Sequence, residues 1–179
     1  MIQARLIIDQ LKATQVTHAV GLPDNATAAL WAALREESSI KPITVTREGE
    51  AFAIAAGLWI GGAHPVVIIQ NTGFFESGDA IRGCATRMRL PLVCFIGYRG
   101  YKKLASIQLQ PAIENLTPDN LSRADVDSCG LLFEPTLRAW GIPYQQIAND
   151  TDLPKIAQAF DQARKIESPV ALLITEDTV

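Results

Sequence analysis

Apolar and polar positions along the chain alternate between two periods. Leu6, Ile7 and Leu11, with Ala4, recur at helical spacing and predict an amphipathic helix over residues 2–15. A short strand over 17–21 follows, then the turn Leu22-Pro23-Asp24-Asn25, where Asp24 or Asn25 can cap a helix running through Ala28, Leu30, Trp31 and Leu34. Pro42-Ile43-Thr44-Val45-Thr46 is rich in β-branched residues and reads as a strand that runs into Glu48. The alanine-rich helix opening there carries Ala51, Phe52, Ala55, Ala56 and Trp59, a face small enough to pack against a sheet or another subunit, and Gly61-Gly62 stops it. Residues 65–70 form a buried-type strand with 71–77 as its exit loop. A helix over 78–89 and a strand over 91–97 come next.

The pattern blurs over 101–130, which hold Pro111, Pro118 and scattered polar residues, with a helical turn near Ile113 to Leu116. Periodicity resumes from Leu131 through Trp140 and ends at Gly141. A strand over 144–147, a helix over 152–166 and a strand over 170–175 complete the pattern. Strands alternating with helices of this length predict a single α/β domain spanning 1–179, a six-stranded parallel sheet covered on both faces.

Composition narrows the function. The 179 residues suffice for one domain with a sizeable core. A net charge of −3 and a pI near 5.4 leave no electrostatic footprint for nucleic acid or an anionic membrane. The longest apolar runs, 66–69 and 170–174, are of strand length and too short to span a bilayer. The first residues carry a charge pattern unlike that of a signal peptide, and Cys84, Cys94 and Cys129 form no CxxC pair, so neither a disulfide framework nor a zinc site is expected. A cytoplasmic protein fits. Its apolar content of 48% points to surface hidden in an oligomer.

Familiar catalytic signatures are missing: no GxGxxG after a strand, no GxxxxGK[ST] loop and no GxSxG elbow. Three strand-exit segments remain, Leu22-Pro23-Asp24-Asn25, Glu48 with its neighbours, and Gln70-Asn71-Thr72-Gly73. All follow the carboxyl ends of strands, where a parallel sheet gathers its ligand-binding loops. Taken alone, Glu48 reads as a helix-opening acid favoured by the helix dipole. Asn71 and Thr72 read alone as turn residues.

Together these segments resemble the pyrimidine-binding (PYR) domain of thiamine diphosphate (ThDP) enzymes, within them the alpha subunit of sulfopyruvate decarboxylase and the matching part of phosphonopyruvate decarboxylase. The Thr46-Arg47-Glu48 segment, with Gly57 nine residues after the glutamate, resembles that family's first catalytic helix. The resemblance implies a three-layer αβα fold and places the catalytic carboxylate on Glu48 rather than Glu50, to bond the aminopyrimidine N1′. It further implies cofactor contacts from Pro23, Asn71, Thr72 and Gly73, and substrate contacts from Asn25 and from Arg99 in Tyr98-Arg99-Gly100. The implied substrate is a small anionic 2-oxo acid of the 3-sulfopyruvate or 3-phosphonopyruvate kind. The chain departs from the family where Gly73-Phe74-Phe75-Glu76 stands for Gly-x-Gly-Asn, and residues 101–130 read as an insertion.

No Gly-Asp-Gly occurs; Gly78-Asp79-Ala80 is the nearest match. The family's anchor for Mg²⁺ and diphosphate is therefore expected on a separately encoded beta subunit, in an alpha2beta2 or larger complex, and this chain is expected to supply no metal ligand. Two alternatives stay open: a carboligase subunit of the acetolactate synthase kind, and a non-catalytic scaffold of the same fold.

Overall fold

The structure is a computed structural model describing residues 1–179. Six parallel strands are ordered β2-β1-β3-β4-β6-β5: β1 His18–Gly21, β2 Lys41–Thr44, β3 Pro65–Gln70, β4 Val93–Gly97, β5 Tyr144–Ile147 and β6 Val170–Ile174. The central strands are apolar at every position because both faces are covered, and successive side chains serve opposite cores. In β3, Val66 and Ile68 pack with α1 (Ala4–Ala13), α2 (Ala28–Glu36) and α9 (Pro154–Ile166). Val67 and Ile69 face α3 (Glu48–Ile60) and α8 (Ser128–Ala139). The αβα layering and the parallel sheet are those expected. Strand β2 lies at the edge and is mostly exposed.

Helix α3 follows its pattern. Ala51, Phe52, Ala55 and Ala56 are buried against the sheet, and Gly62 leaves the helix with a φ of 85°. Its outer face, with Ile54 and Ile60, stays exposed.

Two expectations need correction. The exit from β3 is not a loop: Asn71–Glu76 form a helix, α4, that starts directly from the strand, followed by the short helix α5 (Gly78–Ala80) and a π-helical turn over Ile81–Thr86. The turn-like composition is overridden by tertiary bonds that hold Asn71 and Glu76 from outside. Residues 101–130 are more ordered than their sequence implies. They contain α6 (Tyr101–Ser106), a 3₁₀ turn at Ile113–Asn115 and α7 (Pro118–Ser122), around a small core of Leu104, Val126 and Leu131.

Strand β1 has β2 on one side and β3 on the other, so the strand order reverses between β1 and β3. The exits of β1, β2 and β3 are therefore neighbours at the sheet's switch point, the usual ligand crevice of an open α/β sheet.

Candidate functional site

Three carboxylates crowd the amino end of α3, and each is used differently. Glu50 turns back on the chain: it accepts the Thr46 N–H at 3.0 Å, the Thr46 hydroxyl at 3.1 Å and the Arg47 N–H at 3.3 Å. The Thr46 N–H and hydroxyl, helped by the Arg47 charge, hold the Glu50 carboxyl below the usual carboxylate range. Glu76, on α4, accepts the Gly49 N–H at 2.9 Å through Oε2. Its Oε1 takes Nε and Nη2 of Arg47 at 3.1 and 2.8 Å. Glu48 alone has no hydrogen-bond or ion-pair partner for its carboxylate within the chain. It is half-buried and lies flat against α4 at Gly73, where a Cβ would collide with its Cγ, Cδ and Oε1. Gly73 is thus the floor beneath the Glu48 carboxylate.

The loop after β1 holds Pro23, half-buried, and Asn25, exposed. Between them Asp24 accepts the N–H groups of Ala26 and Thr27 on Oδ1, at 2.7 and 3.0 Å, and so caps the turn into α2. Its Oδ2 is buried without a partner. Asp24 can lie there because residue 97 is glycine: a Cβ at 97 would stand 2.7 Å from Oδ2 and 2.9 Å from Oδ1. Burial pushes the Asp24 carboxyl up, against the two N–H bonds, and Asp177 pushes the same way.

Helix α4 also joins Glu48 to the exit of β4. Asn71 is fully buried. Its Nδ2 donates to the Arg99 carbonyl at 3.0 Å, and its Oδ1 accepts the Arg99 N–H at 3.2 Å. With one bond from each end of its amide, Asn71, expected as a cofactor contact, fixes the backbone of Arg99. The Thr72 hydroxyl is exposed and donates to Gln70 Oε1. Cys129 lies beside Thr72; burial, then Asp127, pushes its thiol up to about 11, which keeps it protonated.

Arg99 and Asn25 meet in a cleft of about 400 Å³ lined also by Gln70, Lys102, Asp127 and Asp177. Arg99 Nε donates to Asp127 Oδ2 at 3.1 Å, which leaves both terminal guanidinium nitrogens free of partners in the chain. Asp127 is itself anchored, since its Oδ1 caps α8 through the Gly130 N–H at 3.1 Å. Lys102 is paired with Glu176 at 3.0 Å. Glu48 is not part of this cleft; α4 connects the two regions, with Gly73 under Glu48 and Asn71 on Arg99.

Sequence reasoning missed three of these groups. Asp127 was legible as an N-cap ahead of the apolar run Leu131-Leu132-Phe133. The free Oδ2 of Asp24 and the grip of Glu76 depend on chain segments far away and leave no local signal.

Comparison with known proteins bears on the family and the fold. The family model described as "Thiamine pyrophosphate enzyme, N-terminal TPP binding domain" matches residues 1–121. A phosphonopyruvate decarboxylase from Streptomyces viridochromogenes is 32% identical over 100 residues, covering 56% of this chain and 25% of its own length. The sulfopyruvate decarboxylase subunit alpha of Methanocaldococcus jannaschii is 30% identical over 94 residues, 52% of this chain and 56% of the relative. The chain thus spans between a quarter and about half of these relatives. Among solved structures, the ThDP-dependent 4-hydroxybenzoylformate decarboxylase of Rhodococcus jostii superposes with a TM-score of 0.66 at 13% identity, over 99% of this chain and 31% of that one, a likeness of fold.

Proposed function

Because the chain belongs to the thiamine pyrophosphate enzymes through their N-terminal TPP-binding domain, we propose that it is the pyrimidine-binding subunit of a ThDP-dependent 2-oxo acid decarboxylase. The observation that carries the reading is the state of Glu48. A carboxylate at the switch point, seated on a glycine and free of partners while its two acidic neighbours are committed, fits the edge of an aminopyrimidine ring. When bound, the cofactor supplies the electron sink for the pair released as carbon dioxide leaves the substrate.

The chain's own groups do the rest of the work at this end. Glu48 would hold N1′ and set the proton distribution across the ring, a task that requires a carboxylate at fixed geometry. Gly73 sets its height, and Pro23 and Thr72, on the neighbouring exits, would hold the ring. Asn25 and Arg99 face the substrate in the adjoining cleft. Guanidinium nitrogens match sulfonate or phosphonate oxygens through forked bonds, which favours a 3-sulfopyruvate- or 3-phosphonopyruvate-like substrate.

This chain carries no Gly-Asp-Gly, the sequence that the family is expected to use for Mg²⁺ and diphosphate. In this proposal the diphosphate and its Mg²⁺ belong to a beta subunit, in an alpha2beta2 or larger complex. The subunit naming of the Methanocaldococcus relative supports that division.

The test is ThDP-dependent carbon dioxide release by the complex with Glu48→Gln and Glu50→Gln. The Glu48 variant should lose about 10²-fold or more with its fold intact, the contribution of a general acid–base partner. The Glu50 variant should lose little, and equal losses would overturn the assignment. Isothermal titration adds a second arm, since tight Mg²⁺-dependent binding of ThDP to this chain alone would refute the division between subunits.

A further inference from the structure

Glu48 is flanked in sequence by Arg47, a cation one residue away, yet its carboxylate has no ionic partner. The reason is on α4. Glu76 takes Nε and Nη2 of Arg47 on one oxygen and the N–H of Gly49 on the other. It thereby holds the residues on both sides of Glu48. Three residues earlier on the same helix, and so on the same face, Gly73 lies beneath the Glu48 side chain. Glu48 and the Arg47 guanidinium thus lie side by side along α4, the acid over the glycine and the cation against Glu76.

We propose that Glu76 is a positioning residue for Glu48: it draws the Arg47 guanidinium away, so that the Glu48 carboxylate stays free for the ring nitrogen, and it fixes the first turn of α3 through Gly49. The inference rests on the reading of Glu48 given above. Its energetic side is simple. Both partners of the Arg47–Glu76 pair are partly exposed, with 71% and 34% of their side chains accessible, so the pair adds little to stability. Its effect lies in where the cation is held. A guanidinium released beside Glu48 would form a forked ion pair with it, a geometry arginine and carboxylate adopt readily. Glu48 would then be neutralised by its neighbour and turned from the ring.

The variant Glu76→Gln isolates this role, because the amide oxygen still accepts the Gly49 N–H while the negative charge that holds Arg47 is gone. In the assembled complex, Glu76→Gln should lower kcat by about tenfold or more, a part of what a general acid–base group contributes. KM should change far less. Adding Arg47→Gln should restore kcat to within about threefold of the parent, since no cation is left to capture Glu48. A fully active Glu76→Gln, or a double variant as impaired as the single one, overturns the proposal. The second outcome would make Glu76 a structural clamp alone.

A readout independent of activity separates this idea from the function proposed for Glu48. The Arg47 Nε–Hε signal in an NMR spectrum of the chain, assigned through Arg47→Gln, should ignore Glu48→Gln in the parent. It should shift on Glu48→Gln in the Glu76→Gln background, because Glu48 has become its partner. Indifference in both backgrounds refutes the capture even if Glu48 proves essential, and coupling supports it even if the activity is of another kind.

Discussion

The contact between Gly73 and Glu48 makes a sharp quantitative prediction. In Gly73→Ala the new methyl carbon would lie about 1 Å inside ordinary van der Waals distance of Cγ, Cδ and Oε1 of Glu48. One of the two must give. The backbone of α4 is fixed by the Asn71 bonds to Arg99 and by the Ser77 hydroxyl on the Gly73 carbonyl at 2.6 Å. The Glu48 side chain has no such ties, so it moves, by about the 1 Å of overlap. A misplacement of that size at a reacting geometry costs about 10²-fold.

Stability should move the other way or not at all. Alanine inside a helix is favoured over glycine by about 0.5–1 kcal/mol, worth about 1–4 °C in Tm for a domain of this size. The assay is carbon dioxide release by the complex beside thermal unfolding of the chain. The expected pair of results is an activity near one hundredth of the parent's and a Tm within a few degrees of it. In a Glu48→Gln background the same substitution should cost almost nothing further, because both act through one group. Activity within about threefold of the parent, independent losses in the double variant, or an unfolded chain would each refute the account.

Other consequences are simpler to state. Arg99→Ala should raise KM for a sulfonate- or phosphonate-bearing 2-oxo acid about tenfold or more while changing that for pyruvate little, as loss of a charge-assisted bond implies; an equal change for both would sink the assignment. Asn71→Ala removes a fully buried side chain and both of its bonds to the Arg99 backbone and should destabilise the chain by about 1–3 kcal/mol in a denaturant melt; an unchanged midpoint would contradict the anchoring role given to Asn71. Asp24 has a raised folded-state pKa, so its burial costs nothing below the ordinary carboxylate range, and the penalty grows as pH rises through the folded value. Asp24→Asn should therefore raise Tm at neutral pH and lose that advantage near pH 3, and a benefit independent of pH would be contrary to the linkage.

Much of this architecture is written locally. The unbroken apolar run in residues 66–69, the β-branched run before Glu48 and the glycines after α3 each depend on near neighbours, and the parallel sheet follows from their order. The exit of β3 is different. Asn71-Thr72-Gly73 has the composition of a turn, yet its first residue is gripped by a backbone 28 positions away and Glu76 by a side chain 29 positions away. No window of ten or fifteen residues contains either partner, so the helical state of α4 could not be read from its own letters.

The same distance explains why the departure at Phe75 and Glu76 is informative. Phe75 packs edge-on to Phe133 of α8, with ring centres 6.1 Å apart, and Phe74 stacks on Trp140 at 5.3 Å. These contacts seat α4 from one side while Glu76 ties it to α3 from the other. Where the related loop keeps Gly-x-Gly-Asn, this chain holds a short helix with three points of attachment: Asn71 on the Arg99 backbone just beyond β4, Gly73 beneath Glu48, and Glu76 at the start of α3. The spacing of these residues on one helix sets the relative heights of the Glu48 carboxylate and the Arg99 backbone. A substitution at Asn71, which ties α4 to the Arg99 backbone, should therefore alter catalysis and charged-substrate affinity together, whereas local changes at Gly73 or Glu76 act through Glu48 alone.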